Sequence, residues 1–349
     1  VIDELTPSEI TILWDMVDGP TPPGVLGLGD PDVHVIDGRP TMFLGGFSTS
    51  FRNRLYAAVL TPGADPAGRS WRFELDRQGR ALPLAPDPPR GAWDGAGMHT
   101  PSYVPAAAGQ PARVYYTGRS SRKQYGSTSS YAIGALELHD GRWVRRGAPL
   151  ITGTPPRMSV LEPLVVHDGD RYLMWYQANP HEIGPGDHPD YELWVAESTD
   201  GLAWSQPRVF AGPDEGYFDN AVAPTGDGWL MVLARGADLF GTGGFPPQGL
   251  WVSFASELSL DRGDWSEPEH VLRTDAPGMP GVFARGAYGP GVLHAAGRSY
   301  VYATGVRDAP RWPRFLARRL LSGRRPPVPA PFYLSVVTAE LTLPPTRPI

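Results

Sequence analysis

The sequence predicts an all-β chain folded as a five-bladed β-propeller, a single closed domain, and three observations lead there. The 42 glycines and 40 prolines among 349 residues alternate with aromatic and β-branched runs, the composition of many short strands and many turns. A unit made of a polar residue, a proline and an apolar strand, then a glycine-containing turn and an aromatic strand, recurs five times at intervals of about 60 to 70 residues, the scale of a blade. The copies also continue alike: an alternating strand follows about 25 to 30 residues on, and in the first four a tryptophan follows about 40 residues on. Length alone leaves one or two domains open. Five equally built units select the propeller over a two-sheet sandwich, because radial repetition leaves only short, protected edges.

Residues 1–26 read as an N-terminal segment packing on the propeller and residues 27–349 as the propeller, with blades starting near 30, 99, 162, 219 and 288. The first copy is Asp30-Pro31-Asp32-Val33 followed by Gly38-Arg39 and Met42-Phe43-Leu44. The second is His99-Thr100-Pro101 with Val114-Tyr115-Tyr116, and the third Glu162-Pro163-Leu164-Val165 with Gly169-Asp170-Arg171-Tyr172. A looser fourth runs Asp219-Asn220-Ala221-Val222 to Gly228-Trp229-Leu230, and the fifth Tyr288-Gly289-Pro290 to Gly297-Arg298-Ser299-Tyr300. The alternating strands are Leu55 to Leu60, Tyr131 to Leu138, Tyr191 to Glu197, Leu250 to Ser256 and Phe315 to Leu320. Trp71, Trp143, Trp204 and Trp265 open the outer strands and are expected to pack between blades. In the fifth copy Trp312 arrives early, and Phe332 to Leu343 is expected to supply the closing strand. Pro83 to Pro89 and Pro326 to Pro331 read as loops; His181 to Pro189 is too rich in glycine and proline for a strand and is expected to form a rim over the axial pocket.

Several function classes are excluded. The net charge is -6, and Arg318 to Arg325 is one local basic cluster with no matching face, which argues against nucleic acid. No apolar run approaches the roughly 20 residues that span a bilayer. Val1 to Met16 carries acids and no basic n-region, so no leader is read there and a cytoplasmic location is favoured. Without cysteine there is no disulfide framework, thiolate metal site or cysteine nucleophile. The histidines lack the spacing of a zinc helix and no Asp-rich loop has calcium spacing, so no cofactor is expected; a central calcium or other ion has no support. Gly241-Thr242-Gly243-Gly244 lacks the lysine and the helix of a phosphate loop. The expected partner is a small-molecule or oligosaccharide substrate, and the expected state a monomer or small homo-oligomer.

In a propeller the innermost strand of each blade lines the channel, and its first residues reach the mouth. That register brings Asp30, His99, Glu162, Asp219 with Asn220, and Tyr288 or Arg285 to one place. Three carboxylates in one pocket repel one another, so at least one keeps its proton near neutrality. Unlike acids of this kind are what glycosidic bond cleavage needs: one protonates the leaving oxygen, the other activates water or attacks carbon. Asp30, Glu162 and Asp219 are therefore the candidate catalytic residues. His99, Arg157, Asn220, Arg235, Arg285, Tyr288, His181 and His188 are the candidate substrate contacts, the arginines offering bidentate contacts to carboxylate or phosphate. His34 and His167, among core-like valines, read as structural, and Trp175, Tyr176 and Trp229 as blade packing.

Gly29-Asp30-Pro31-Asp32-Val33, Leu161-Glu162-Pro163 and Glu197-Ser198-Thr199-Asp200-Gly201-Leu202-Ala203-Trp204 resemble the five-bladed propeller glycoside hydrolases. These comprise the arabinanase, xylosidase and invertase-like clans, with the mannoside phosphorylases as cousins. The resemblance runs from about Gly27 to Tyr302. It implies a general base or nucleophile at Asp30, a pKa-tuning and orienting residue at Glu162, and an acid near Asp219. The chain departs from the family in reading Glu then Asp in the third and fourth blades, and in lacking the Glu-Gly-Pro or Glu-Cys-Pro turn that holds the acid. It also lacks the asparagines that flank Asp-Pro in the retaining invertase-like enzymes, so the resemblance favours the inverting group. Three functions follow: an enzyme cleaving or transferring a glycosidic bond; a cyclase, dehydratase or lyase of a small-molecule pathway on the same scaffold; and a sugar-binding propeller without catalysis.

Overall fold

The computed structural model describes residues 2–50, 52–107, 109–121, 131–179, 190–238, 248–295, 297–321, 330 and 333–343. The chain opens with β1 (Thr11–Asp15) and then lays down five antiparallel blades, the first two joined by a parallel bridge between Asn53 and Gly97. The first blade is β2 (Val25–Ile36), β3 (Arg39–Ser48), β4 (Asn53–Leu60) and β5 (Trp71–Phe73). The second is β6 (Gly97–Val104), β7 (Arg113–Arg119) and β8 (Tyr131–His139), with the outer edge of β8 shared by β9 (Arg142–Arg145) and β10 (Ile151–Thr152). The third is β11 (Ser159–His167), β12 (Tyr172–Asn179), β13 (Glu192–Ser198) and β14 (Arg208–Ala211). The fourth is β15 (Tyr217–Thr225), β16 (Gly228–Arg235), β17 (Gly249–Ala255) and β18 (Glu269–Arg273). The fifth holds β19 (Ala287–Ala295), β20 (Arg298–Arg307) and β21 (Tyr333–Leu341). The inner strands β2, β6, β11, β15 and β19 touch one another in cyclic order, so the five blades close around one axis.

Local chemistry sets the hairpins. Asp37-Gly38 and Asp140-Gly141 have both central residues at positive φ, 50° and 73° in the first and 48° and 72° in the second. That is the two-residue turn whose twist matches paired strands, and it needs residues tolerant of the left-handed region. The core lies in the seams between blades. Trp71 meets Tyr302 of the fifth blade edge-on at 6.0 Å, Trp143 meets Phe43 of the first at 6.3 Å, and Trp204 meets Tyr115 of the second at 6.0 Å. Trp265 packs in one cluster with Leu173 and Trp175 of the third. Each outer tryptophan thus lies against the preceding blade, as expected. Trp71 and Trp265 are buried and Trp143 and Trp204 half-buried; at about 25 cal/mol per Å² and roughly 150–250 Å² per fully buried ring, the first two contribute several kcal/mol each and the others less.

The fifth blade departs from expectation. Phe315 to Leu320 is not a strand but part of helix α1 (Trp312–Leu321). Pro313 suits a first helical turn, and Trp312, Phe315 and Leu316 recur at helical rather than alternating spacing; Phe315 is buried with Met16, Val17 and Tyr333. The third strand is β21, inside the predicted closing stretch 332–343. The outer place is taken by β1, antiparallel to β21 with Thr11 opposite Thr338 and Asp15 opposite Ser335. The 1–26 segment therefore contributes a strand to the last blade. Asp15 fastens it, accepting from Arg307 Nη1 at 2.5 Å and from the Val17 N–H at 2.8 Å.

Candidate active site at the hub

Every inner strand carries a one-residue bulge near the same end. Pairing slips between Gly29 and Asp32, His99 and Ser102, Leu161 and Leu164, Tyr217 and Asp219, and Tyr288 and Gly291. In four blades the bulge holds a residue at positive φ directly before a proline: Asp30 (55°), Thr100 (51°), Glu162 (55°) and Gly289 (58°). A bulge re-aims the side chain it carries, and a left-handed conformation in a residue other than glycine persists only where its surroundings hold it. The fourth blade departs. No residue of its bulge has positive φ, and Asp219, two residues after Tyr217, stands at the place of the prolines.

What holds the bulges is a set of clasps from blade to blade. The residue opposite the last paired position on the second strand is Gly45, Thr117, Gln177, Arg235 or Thr304 in turn. Thr304 Oγ1 accepts the N–H of Asp30 at 2.7 Å, and Thr117 Oγ1 accepts the N–H of Glu162 at 2.9 Å. Where the first blade has Gly45, the Asp30 carboxylate itself takes the N–H of Thr100. A β-carbon on Gly45 would lie 2.9 Å from Asp30 Oδ2, so the glycine makes room for the acid. Where the fourth blade has Arg235, Asp219 Oδ2 takes the N–H of Gly289 at 2.7 Å. At the remaining seam, between blades three and four, Gln177 has no partner for either side-chain atom. A second tier lies one step further along: Asp32 accepts the N–H of Tyr103 at 2.6 Å and Ser102 that of Val165 at 2.9 Å. Asp32 also pairs with His34 Nε2 at 2.8 Å.

The clasps bring the three predicted acids together. Gly289 lies between two of them: its N–H reaches Asp219, and a β-carbon on it would lie 3.2 Å from Asp30 Oδ1. Glu162 and Asp219 are buried and Asp30 is half-buried. Burial raises the Asp30 pKa to about 7 against the pull of the Thr100 N–H. Burial, then the charges of Asp30 and Asp219, push Glu162 well above the usual carboxylate range. Asp219 is also raised, first by burial, while the Gly289 N–H works against the shift and the Asp30 charge adds to it. Glu162 thus has no hydrogen bond favouring its ionised form, whereas Asp30 and Asp219 each have one. Among the described residues no three acidic or histidine side chains are close enough to hold a metal ion.

The other predicted contacts are placed differently. His99 stands one residue before the clasping Thr100, edge-on to Tyr131 at 5.6 Å, with its pKa pushed down to about 3 by burial and the charge of Arg119. It is neutral at physiological pH. Tyr288 and Phe218 meet edge-on at 6.0 Å in an apolar cluster with Tyr191 and Leu161. Asn220 is buried and its amide has no partner. Three arginines are engaged away from the acids. Arg157 binds Asp190 and Glu192, Arg285 binds Asp308 at 2.9 Å, and Arg235 lies over the rings of Tyr217 and Trp251. Poorly solvated guanidinium groups need such partners. His181 and His188 lie outside the described residues. Sequence reasoning missed the clasping threonines and Gly45. Their signal is a recurrent small residue after the second-strand position: Gly45-Gly46, Thr117-Gly118, Gln177-Ala178, Arg235-Gly236 and Thr304-Gly305.

No family model and no curated relative matches the sequence, but solved structures match its fold along most of its length. An α-L-arabinofuranosidase from Lactobacillus brevis is 11% identical with a TM-score of 0.61, covering 95% of this chain and 93% of that one. A β-xylosidase is 14% identical, TM-score 0.55, covering 97% and 96%. A β-fructofuranosidase from Bombyx mori is 13% identical, TM-score 0.55, covering 86% of this chain and 59% of the other. The chain is a five-bladed propeller with the fold of these glycoside hydrolases.

Proposed function

We propose that the protein is an enzyme acting on a glycosidic bond by carboxylate acid–base catalysis, with Asp30 as base, Glu162 as proton donor and Asp219 as the residue that tunes and orients them. The observation carrying this reading is that three acids from the first, third and fourth blades meet at one hub with unequal surroundings. Asp30, with a pKa of about 7, is the first of the three to ionise and so the one to draw a proton from water. Glu162, buried without a donor and facing two other acids, keeps its proton and can pass it to a leaving oxygen. Asp219, tied by Gly289, cannot turn freely, and when it ionises its charge makes the Glu162 proton harder still to lose. A base on one side and an acid on the other, with water between, inverts the anomeric centre.

The test is hydrolysis of aryl α-L-arabinofuranosides, aryl β-D-xylosides and β-fructofuranosides, with the product anomer read by NMR. Asp30→Asn is expected to lower turnover by about 10²–10⁴-fold, the share general acid–base catalysis supplies, with no fall in melting temperature, since the amide oxygen can still take the Thr100 N–H. Full turnover by Asp30→Asn overturns the assignment. One observation favours a second reading: Asp219, at the place where the resembling enzymes carry their acid, is engaged in a clasp. The same acid and base could then serve an elimination from a polyhydroxylated substrate. A product with new ultraviolet absorbance from a C=C bond, and no released sugar, supports that reading; binding without turnover supports a sugar-binding propeller.

A further inference from the structure

The hub clasps are complete at four seams and missing at one, between the third and fourth blades. Side chains along a strand alternate between faces. On β12, Leu173 and Trp175 pack into the core of this seam together with Met231, Leu233 and Trp251; Gln177 and Asn179 continue on that face. From the other side Val222 of β15 packs against the same core, and Asn220 shares its face. Asp219, on the opposite face, meets the fifth blade instead. Three amides therefore look into one seam at its hub end. Gln177 is fully buried, and Asn179 and Asn220 are 4% and 5% exposed. Both side-chain atoms of Gln177, both of Asn220 and Oδ1 of Asn179 have no hydrogen-bond partner. Buried polar groups are usually paired, and the other unpartnered side-chain atoms among the described residues are scattered over the fold. Five converging on a seam whose clasp is absent are a site kept for something else.

The chemistry of the set defines the ligand. Each amide offers an acceptor oxygen and a two-proton donor, the complement of hydroxyl groups, which donate and accept at once. A ligand with donors only leaves the amide nitrogens unmet. An anionic ligand leaves the amide oxygens unmet, loses its hydration in a buried seam and meets the charge of Asp30 once that acid has ionised. We propose that the seam between the third and fourth blades is a hydroxyl-binding subsite for an uncharged sugar, with Gln177, Asn179 and Asn220 as its donors and acceptors. The choice of a sugar rests on the carbohydrate reading above; the placement of the subsite rests on the amides.

Calorimetry of the whole protein with L-arabinose, D-xylose and D-fructose tests it, because free monosaccharides have no scissile bond. Gln177→Met and Asn220→Leu, which replace each amide by an apolar group of similar size, are each expected to weaken binding at least about tenfold, as for a lost buried hydrogen bond. Their melting temperatures should stay level or rise, since an unsatisfied group is removed. With the native protein, D-glucuronate should bind at least about tenfold more weakly than D-xylose, from which it differs by a carboxylate. Unchanged affinity in both variants, equal binding of D-glucuronate, or no binding of any of the three sugars at millimolar concentration overturns the subsite. If the protein cleaves no glycoside yet binds these sugars through Gln177 and Asn220, the subsite stands and the acid–base reading falls. If it cleaves glycosides and the two variants bind normally, the reverse holds.

Discussion

At Asp30 two opposing influences meet: burial favours the neutral acid, and the N–H of Thr100 favours the anion. Burial prevails, and the consequence extends to stability. With an ordinary carboxyl value of 3.8 in the unfolded chain and about 7 in the folded one, the folded state holds a proton that the unfolded state has released over this range. The stabilising contribution is complete below about pH 4 and is lost as the pH rises through about 7; Glu162 and Asp219 act in the same direction. The lowered pKa of His99 works in the opposite direction over the same window, so the readout is the difference between two proteins: in urea unfolding Asp30→Asn, which has no proton to lose, should gain stability relative to the native protein as the pH rises through this window. An equal slope in the two proteins would refute the shifted value. The three acids were legible in the sequence because each sits at or beside the recurrent proline position. His99 and Tyr288 were not equivalent to Asp30, because the proline is the true landmark: it aligns Thr100 and Gly289 with Asp30 and Glu162. Choosing the titratable neighbour shifted the register by one residue, which on a strand exchanges the two faces.

The second strands, β3, β7, β12, β16 and β20, decide how each inner strand is held. Thr304 is fully buried and takes the N–H of Asp30. Replacing it by valine keeps the shape and leaves that N–H unpaired, at a cost of about 1–3 kcal/mol. Because Asp30 occupies a left-handed backbone conformation, the change should also move the acid and displace the pH profile of turnover. Serine at 304 should restore both stability and profile; loss of stability with an unaltered profile would confine Thr304 to packing. At this scale the blades could be read from periodicity, since aromatic and β-branched alternation is local. The clasps could not, because a threonine gives no sign of which N–H it will meet in another blade. Helix α1 was missed because the repeat, followed into the fifth copy, prescribes a strand at Phe315, while Pro313 and the three- and four-residue spacing of apolar groups prescribe a helix.

As a whole the molecule is a ring whose seal joins residues more than 300 positions apart, Thr11 with Thr338 and Asp15 with Ser335. Asp15→Ala removes the buried partner of the half-buried Arg307 and two N–H acceptor contacts at Val17 and Asp18. Arg307 is partly solvated and keeps Asp18 within 3.2 Å, so the loss should be that of the hydrogen bonds to Asp15, about 1–3 kcal/mol, below the range for a broken fully buried pair. Denaturant unfolding would measure it; a change below about 0.5 kcal/mol, the level of an ordinary surface substitution, would show that the seal does not depend on this contact. The circuit of clasps gives the seal a further meaning. Thr304, which fixes Asp30, stands on β20, beside the strand that β1 completes, so the acid of the first blade is set in place by the last. A chain still emerging from the ribosome can stack four blades and yet lack this anchor. The geometry of the hub is then finished in a single late event, when the oldest strand of the chain meets the youngest.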